Sequence, residues 1–353
     1  MGDRATPVAL AAGLNKAARN HILIRDTSAL EQMRNVDVVV FDKTGTLTEG
    51  HPTVIGWLWA QGQEEHYKDV LLAAESTSDH PLAEAIVTAL EGEEQVIPAH
   101  LDGFENITGK GVRVAYQGAE YWVGSHKLLK DYQANLSDIL ADMLTQYESD
   151  GNSIVYFGRE NDLLAVIAIK DQLRVTSMEA IRELRIQDIE ICMLTGDGER
   201  TASSVAGSLG IMRFVADAMP DDKEDFIHKL QLQGKTVAMV GDGVNDAQAL
   251  SCADVSIAMG KGTDTLMDTA MITLRTSDLL LLPKVFRLSR QTVSLMYRNL
   301  FWAFIYNTVG IFVAAGVLYP VYDILLSPAL AGAAMALSCV SVALSSLRLS
   351  SRF

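Results

Sequence analysis

The sequence predicts an α/β protein in three parts: a doubly wound parallel sheet, an α+β domain inserted into it, and a C-terminal pair of membrane helices. Short apolar runs rich in β-branched residues alternate with helical patterns through the middle of the chain. This alternation is typical of a parallel sheet whose two faces are covered by helices. It stops between about residues 50 and 162, and two long uncharged runs follow near the C-terminus.

Five apolar runs are the predicted strands of the parallel sheet: Val36–Phe41, Ala165–Ile169, Ile189–Leu194, Thr236–Val240 and Val255–Met259. Helical patterns around 175–186, 199–209 and 221–233 lie between several of these strands. The inserted segment has a different pattern, with a helix through 68–90, short strands around 103–125 and a second helix near 135–149. The predicted domains are a leading segment (1–30), the sheet domain (31–50 and 163–280), the insertion (51–162) and the membrane hairpin (281–353).

The C-terminal runs, 299–320 and 324–347, contain no charged residue. Each reaches the roughly 20 residues that a helix needs to cross a bilayer. A pair of buried core helices is the alternative, but two such runs in tandem favour membrane spans. Basic residues flank the pair on both sides and none lies between the runs, so both ends are predicted to be cytoplasmic. Residues 7–24 resemble a helix that leads into a strand, which we interpret as the end of a membrane helix and a linker.

The composition excludes several classes of protein. The chain has 29 basic and 44 acidic residues, a net charge of −15, which argues against a nucleic-acid partner because such binding needs a basic face. Hydrophobic residues make up 49% and charged residues 21%, so the chain is not intrinsically disordered. Its three cysteines lie far apart, which excludes a disulfide framework and a zinc ribbon and fits a reducing compartment.

The strongest motif follows the first strand of the predicted sheet and consists of Asp42, Lys43, Thr44, Gly45 and Thr46. Ligands of open α/β sheets bind beyond the carboxyl ends of the strands, which is where Asp42 is placed. A carboxylate there can act as a nucleophile toward phosphorus and form an aspartyl-phosphate. Gly45 and the threonines supply a tight turn with donors for phosphate oxygens. An ordinary turn aspartate is the alternative, and the five-residue order makes it a poor explanation.

A second pair of carboxylates, Asp242 and Asp246, lies in a glycine-rich loop after the strand at 236–240. Such a loop suits Mg²⁺, a hard cation that shares its coordination shell with water and phosphate. The ion would reduce the repulsion between Asp42 and an approaching phosphate. A calcium loop is the competing interpretation, but the required acidic spacing and the terminal glutamate are absent.

Two further segments complete a predicted phosphoryl-transfer site. Thr195, Gly196 and Asp197 follow the strand at 189–194, and Lys223 stands at the start of a predicted helix. The first three offer a hydroxyl and backbone donors, and Lys223 offers a positive charge for the transferred group. Each segment alone is a weak signal, since an aspartate at a helix start is usually only a cap.

Taken in order, these motifs resemble the haloacid-dehalogenase-type phosphorylation domain of P-type ATPases. The resemblance implies ATP as substrate and Mg²⁺ as cofactor, with Asp42 phosphorylated and Asp42, Thr44, Asp242 and Asp246 forming or supporting the magnesium site. The insertion is similar to the nucleotide-binding domain of the heavy-metal-transporting members. The resemblance implies that five of its residues hold adenine and ribose: Glu75, His80, Pro81, Gly109 and Gly111.

The membrane hairpin resembles the copper(I)-exporting branch. Tyr306 and Asn307 lie in the first predicted span, and Met335 and Ser338 lie one turn apart in the second. The resemblance implies that these four line a Cu(I) path, and a thioether ligand suits Cu(I) better than Zn²⁺. A zinc pump is expected to carry a carboxylate or lysine in these spans, and neither span has one. Ordinary packing roles for Met335 and Ser338 are the alternative.

The chain departs from the family pattern at Gln248, Gly198 and Cys339, which replace a proline, an asparagine and a serine. It also contains neither a Thr-Gly-Glu loop nor a Cys-Pro-Cys motif. The resemblance therefore covers the C-terminal half of a pump. It implies an integral protein of the plasma membrane with its soluble domains in the cytoplasm. The implied partners are the lipid bilayer, the actuator domain and N-terminal membrane helices of the other half, and a copper chaperone.

Three alternatives to a copper pump remain open. The first is a membrane-tethered phosphatase of the same superfamily. Such phosphatases carry a second aspartate two residues after the nucleophile, where this chain has Thr44. The second is a pump for another soft or transition metal such as Zn²⁺. The third is a non-catalytic nucleotide-binding subunit, against which the four charged residues of the site argue: Asp42, Lys223, Asp242 and Asp246.

Overall fold

The structure, a computed structural model, describes residues 2–60, 64–78, 80–93, 95–134, 138–242, 246–260 and 270–315. The strands are β1 Ile22–Ile24, β2 Val38–Asp42, β3 Thr53–Trp59, β4 Gly103–Ile107, β5 Gly111–Tyr116, β6 Ala119–Gly124, β7 Ser153–Arg159, β8 Asp162–Lys170, β9 Glu190–Leu194, β10 Arg213–Val215, β11 Val237–Gly241, β12 Val255–Met259 and β13 Ile272–Leu274. The helices are α1 Gly2–Arg19, α2 Ser28–Met33, α3 Glu64–Glu75, α4 Pro81–Glu91, α5 His126–Asp131, α6 Asp138–Ser149, α7 Ser177–Ile186, α8 Glu199–Leu209, α9 Pro220–Leu232, α10 Ala247–Cys252 and α11 Leu281–Ala314.

The first sheet has seven strands in the order β1-β13-β12-β11-β2-β9-β10. All neighbours are parallel except β1, which runs antiparallel to β13 at one edge. Strand β2 is central and every one of its residues is buried, as expected for an apolar strand covered on both faces. The sheet therefore has the predicted doubly wound form, with β2 between β11 and β9.

The second sheet is antiparallel, with six strands in the order β3-β8-β7-β6-β5-β4. One core cluster packs α3 and α4 against one face of it. Another packs α5 and α6 against the opposite face. This sheet and its four helices form the α+β insertion that interrupts the parallel sheet between β2 and β9.

One predicted strand belongs to the other sheet. The run Ala165–Ile169 was expected in the parallel sheet, but it forms part of β8, which pairs antiparallel with β3 and with β7. Helices cover both faces of the insertion as well, so β8 is as continuously apolar as a parallel core strand and the sequence pattern did not distinguish the two. The insertion sheet extends to Lys170, so the predicted domain boundary at residue 162 cuts off its last strand.

A second difference concerns the helix predicted through 68–90. The chain forms two helices there, because α3 ends at Glu75 and α4 begins at Pro81. Proline is favoured in the first turn of a helix, where its missing N–H has no partner to lose, and it interrupts a helix that continues through it. The turn between the two helices exposes His80 as the N-cap of α4.

The long helix α11 has two different parts. Its first part is buried against the sheet domain, where Ser289 donates a hydrogen bond to the carbonyl of Leu30. Farther along, Leu295 and Met296 pack with Ala9 of α1. From residue 300 onward, large apolar side chains are exposed on several faces of the helix: Leu300, Phe301, Trp302, Phe304, Val309, Ile311 and Phe312.

No helix in the described part of the chain combines the length and apolar character needed to cross a membrane. The predicted span 299–320 begins within α11 and continues past residue 315, where the described residues end. The second predicted span, 324–347, lies outside the described residues altogether. The membrane hairpin thus stays a prediction.

Candidate active site

Three adjacent strands of the parallel sheet bring the predicted catalytic residues to one edge. Asp42 is the last residue of β2, Thr195 follows β9, and Asp242 follows β11. The register pairs Asp42 with Leu194 and Val240 with Phe41, so the three strands end at the same level. Their carboxyl ends form the crevice in which open α/β sheets bind ligands.

Lys223 joins two of the carboxylates at this edge. It lies in the first turn of α9, which begins at Pro220, and its Nζ donates to Oδ1 of Asp42 at 2.6 Å and to Oδ1 of Asp246 at 2.7 Å. Burial alone would lower the pKa of Lys223, but the two carboxylates outweigh it and hold that pKa above its ordinary value. Lys223 is therefore a fixed ammonium group in contact with the predicted nucleophile.

The three aspartates converge closely enough to share a cation. Oxygens of Asp42, Asp242 and Asp246 all lie within 4.8 Å of one another. Burial, reinforced by the charges of the other two carboxylates, raises the pKa of Asp242 to about 7 from an ordinary value of 3.8. Such crowding of negative charge is relieved by a hard divalent cation with oxygen ligands, and these residues fit Mg²⁺.

Lys223 pairs with Asp42, whereas Lys43 pairs with Asp197. Its ammonium forms an ion pair with Asp197 and donates to Oγ of Ser153 at 3.1 Å. Thr195 donates from Oγ1 to Oδ2 of Asp197 at 2.8 Å. Burial of Asp197 would raise its pKa, but Lys43 and these hydrogen bonds hold it below its ordinary value. Since Ser153 belongs to β7, this network also ties the insertion to the catalytic edge.

Gly45 is required by the close packing of the loop after β2. Its φ is +69°, and a Cβ there would lie 1.4 Å from Oδ2 of Asp242. Only glycine combines the left-handed backbone with this approach to a carboxylate. The loop is closed by a hydrogen bond from the Gly45 N–H to Oγ1 of Thr48, at 2.9 Å.

The sequence reasoning missed two residues that hold this loop. Arg174, which is buried, donates from Nε to the carbonyl of Thr46 at 2.9 Å and from Nη2 to the carbonyl of Gly45. Asp171 accepts from Oγ1 of Thr48 at 2.5 Å and from the N–H of Gly50 at 3.1 Å. Both lie within four residues after the end of β8, where the chain returns from the insertion, and an acidic and a basic residue at that return were the available signal.

Two of the predicted nucleotide residues are placed by α3 and α4. Glu75 is buried at the end of α3, and burial raises its pKa to about 7. His80 accepts the N–H of Leu82 on Nδ1 at 3.2 Å, which leaves Nε2 as the hydrogen-bond donor. Although the surface of His80 is exposed, the protein groups around its ring lower the pKa of His80, and the charges of Asp197 and Asp42 act in the opposite direction. His80 therefore lies on the side of the insertion that faces the aspartate cluster.

The two predicted nucleotide glycines have structural reasons of their own. Gly111 has a φ of +143°, and a Cβ there would lie 2.1 Å from the carbonyl of Val123 on the paired strand. At Gly109 a Cβ would lie 2.6 Å from Cε of Met219, which precedes α9. The turn that they form thus packs close to the sheet domain, and its conformation requires glycine with or without a nucleotide.

The predicted Cu(I) residues are described only in part. Tyr306 and Asn307 are exposed on α11, and the ring of Tyr306 lies 5.9 Å from that of Trp302. Met335 and Ser338 lie outside the described residues.

A family model described as a haloacid dehalogenase-like hydrolase matches residues 36–254 of this chain. The chain belongs to the haloacid dehalogenase-like hydrolases. The matched range runs from the strand that carries Asp42 to the end of α10, and it includes the whole insertion. The predicted fold class of the two domains is confirmed.

Two bacterial relatives extend the comparison beyond that range. A copper-exporting P-type ATPase of Legionella pneumophila is 42% identical over 98% of this chain and 47% of its own length. A silver-exporting P-type ATPase of Salmonella typhimurium is 43% identical over 98% of this chain and 42% of its own length. The chain spans about half the length of these curated relatives, and its resemblance to heavy-metal-transporting P-type ATPases is confirmed.

Solved structures agree with this assignment. A zinc-transporting PIB-type ATPase in the E2.Pi state matches 98% of this chain and 55% of its own, at a TM-score of 0.67 and 35% identity. The catalytic domain of the CPx-ATPase CopB-B matches 77% of this chain and 97% of its own, at a TM-score of 0.64 and 28% identity. The second match is to a catalytic domain, nearly all of which this chain covers.

Proposed function

We propose that this chain is the ATP-binding and phosphorylation half of a metal-exporting P-type ATPase, with Asp42 as the residue that is phosphorylated. One observation carries the proposal. Asp42 is buried at the end of the central strand, is held by Lys223 at 2.6 Å, and lies within 4.8 Å of the carboxylates of Asp242 and Asp246. A nucleophile, a fixed cation and carboxylates placed to hold a divalent metal are what phosphoryl transfer to a carboxylate requires.

In the proposed reaction, the phosphoryl group moves from ATP to Asp42 in a single displacement. An oxygen of Asp42 attacks the γ-phosphorus of ATP, a carboxyl–phosphorus bond forms, and the bond from phosphorus to the β-phosphate oxygen breaks. ADP leaves with that electron pair. Lys223 occupies Oδ1 of Asp42 and so leaves Oδ2 to attack, while its charge compensates the negative charge of the reacting groups.

Three aspartates would hold the magnesium ion in this scheme: Asp42, Asp242 and Asp246. When bound, Mg²⁺ supplies positive charge that lets two anions, a carboxylate and a triphosphate, approach each other. In this scheme Thr44 and Gly196 offer a hydroxyl and a backbone N–H to the phosphoryl oxygens, and Thr195, whose hydroxyl donates to Asp197, would exchange that hydrogen bond for one to phosphate. Lys43 and Asp197 position Thr195 through their buried ion pair rather than by contact with Asp42.

Thr44 favours a phosphorylated intermediate that persists. Phosphatases of the superfamily place a second aspartate at this position, where it acts as the general acid and base. A threonine hydroxyl is too weak an acid for that role, so hydrolysis of the acyl-phosphate would depend on another domain. This is the reason to prefer a pump over the membrane-tethered phosphatase.

Nucleotide binding is proposed to use the insertion residues already described. The Nε2 hydrogen of His80 can donate to a purine or stack beside one, and Glu75 at its buried position can accept a hydrogen bond. Pro81 fixes the start of α4 and therefore the placement of His80. Gly109 and Gly111 let the backbone approach a ribose closely. Replacing His80 by alanine should weaken ATP binding without changing the fold.

Cu(I) is the ion we propose for transport. Relatives from Legionella pneumophila and Vibrio cholerae are named copper-exporting, and the Salmonella typhimurium relative exports silver, another soft monovalent ion. Tyr306, Asn307, Met335 and Ser338 offer one thioether and neutral oxygens, a set that suits Cu(I) better than Zn²⁺. A bilayer location, an actuator domain and further membrane helices from the other half, and a copper chaperone belong to the same proposal.

The choice of metal is tested on a complete pump, in which this chain is combined with an actuator domain and the N-terminal membrane helices. Met335→Leu should reduce Cu(I) affinity far more than Zn²⁺ affinity. Ser338→Ala serves as a matched change one turn away and should have a smaller effect, because it removes a neutral oxygen. Zn²⁺-stimulated ATPase activity that Met335→Leu leaves unchanged would contradict the copper assignment.

The phosphorylation proposal is tested by incubating the chain with Mg²⁺ and ATP labelled with 32P on the γ-phosphate, followed by acid quenching. Label that survives acid and is released by hydroxylamine identifies an acyl-phosphate and supports the proposal. Rapid release of free phosphate without retained label would favour a phosphatase. Nucleotide binding with neither product would favour a non-catalytic subunit.

A further inference from the structure

Among the described residues, a second cluster of side chains able to ligate a metal lies on the sheet domain and shares no residue with the aspartate cluster. It consists of Glu224 and His228, one turn apart on α9, and Cys252 at the end of α10. One ligand atom from each of the three lies within 4.8 Å of the other two. Glu224 and Cys252 are half-buried, while His228 is exposed, so an ion can reach the cluster from solvent.

Two distances between the ligand atoms match those between ligands arranged tetrahedrally around one metal ion. Oε1 of Glu224 lies 3.5 Å from Nε2 of His228 and 3.4 Å from Sγ of Cys252. Typical zinc bonds to oxygen, nitrogen and sulfur at a tetrahedral angle give edges of about 3.4 Å for oxygen to nitrogen and about 3.6 Å for oxygen to sulfur. Two of the three distances thus match those between ligands of one zinc ion, and the third, between His228 and Cys252, is within 4.8 Å.

A fourth residue orients two of these ligands. The Nδ1 of His228 lies 3.1 Å from Oε1 of Gln231, and when Nδ1 carries the proton, Nε2 is the free ligand atom directed at Glu224. Gln231 also donates from Nε2 to the carbonyl of Cys252 at 2.9 Å and to Asp254 at 3.3 Å. A histidine ligand whose second nitrogen is held by an oxygen acceptor is the usual arrangement at protein metal sites.

We propose that Glu224, His228 and Cys252 form a zinc site that joins α9 to α10, with solvent as the fourth ligand. One thiolate, one imidazole and one carboxylate form a mixed set that suits Zn²⁺, whereas a charged, hard carboxylate is a poor ligand for the soft ion Cu(I). The site is independent of the transported ion and of the phosphorylation proposed above. It would tie together the helix that carries Lys223 and the helix that follows Asp246.

Cobalt provides the first test, on the full chain in detergent after removal of metals with a chelator. Co²⁺ bound to a thiolate shows a sulfur-to-cobalt charge-transfer band, and we expect that band in the unaltered chain. Cys252→Ser should abolish it, and Cys339→Ser, the same change in the C-terminal apolar run, should leave it in place. No band in the unaltered chain, or a band that persists in Cys252→Ser, would overturn the proposal.

Zinc affinity provides the second test, measured by competition with a chromophoric chelator. His228→Ala should weaken Zn²⁺ binding by at least about 10-fold, and Gln231→Leu should weaken it by about 10- to 100-fold, the range found when the partner of a metal ligand is removed. His100→Ala alters an exposed histidine of the insertion and should change nothing. Equal affinity in the unaltered chain and in His228→Ala would refute the site, and circular dichroism confirms that each variant is folded.

Discussion

We expect Asp242 to be needed for catalysis and, without metal, to lower the stability of the folded chain. In the absence of metal its carboxylate is confined with those of Asp42 and Asp246, and its pKa is raised to about 7 from an ordinary 3.8. A carboxyl whose pKa is raised by folding contributes stability at low pH, and this contribution is lost as pH rises from about 4 through about 7. Replacing Asp242 by asparagine removes the charge and preserves the shape, so we expect the variant to be more stable above pH 7.

The size of the effect follows from the two pKa values. The difference between 3.8 and about 7 corresponds to about 4 kcal/mol, at about 1.4 kcal/mol for each pH unit. Asp242 is half-buried, so water relieves part of this cost, and we expect a gain of about 2 kcal/mol at pH 8. For a domain of this size, that gain raises the melting temperature by roughly 4–8 °C.

The assay is thermal unfolding at pH 5 and pH 8, with EDTA or with Mg²⁺. Without metal, Asp242→Asn should melt higher than the unaltered chain at pH 8, and by only about 40% of that difference at pH 5, where the cost has developed in part. Mg²⁺ should stabilise the unaltered chain at pH 8 and have little effect on the variant, because a metal ligand is gone. Asp225→Asn on the exposed face of α9 is the matched control and should show neither difference. A variant that melts lower than the unaltered chain at pH 8 without metal would refute the reasoning.

Three further predictions concern the loop and the domain boundary. Gly45→Ala should destabilise the chain by at least 1–2 kcal/mol in thermal melts and abolish phosphorylation, since its Cβ would overlap Asp242; normal labelling would contradict this. Arg174→Lys should slow phosphorylation and cost about 1–3 kcal/mol, because one of two loop carbonyls loses its donor; an unchanged rate and melting temperature would contradict it. A fragment of residues 51–171 should unfold cooperatively, whereas 51–162, which lacks β8 between β3 and β7, should not; equal cooperativity would contradict the boundary.

Much of the sheet domain could be predicted because its strands and its motifs coincide. Three of the predicted functional segments follow a short β-branched run, so the residues and the rule for open α/β sheets together placed Asp42, Thr195 and Asp242 at one edge. The helices at 199–209 and 220–232 were anticipated from their periodicity. These signals come from short stretches of sequence, and the corresponding strands and helices form where they were predicted.

The wrong strand assignment and the missed residues have a common cause. A local sequence pattern does not show which sheet a strand joins or which distant part of the chain a residue contacts. The run at 165–169 is apolar because helices cover both faces of the insertion, as they do in the parallel sheet. Arg174 and Asp171 were missed because each acts on backbone more than a hundred residues earlier in the chain. The ion pair of Lys43 with Asp197, which no sequence pattern predicted, likewise depends on how β2 and β9 lie side by side.

The central claim is that the phosphoryl group is carried by Asp42, and mapping the modified residue tests it most directly. After reaction with Mg-ATP and acid quenching, borohydride reduces an aspartyl-phosphate to homoserine, which peptide mass spectrometry locates in the sequence. We predict homoserine at position 42 in the unaltered chain and at no position in Asp42→Asn, which should still bind ATP at least as tightly because a negative charge facing the γ-phosphate is gone. Homoserine at another aspartate, or its formation in Asp42→Asn, would contradict the account.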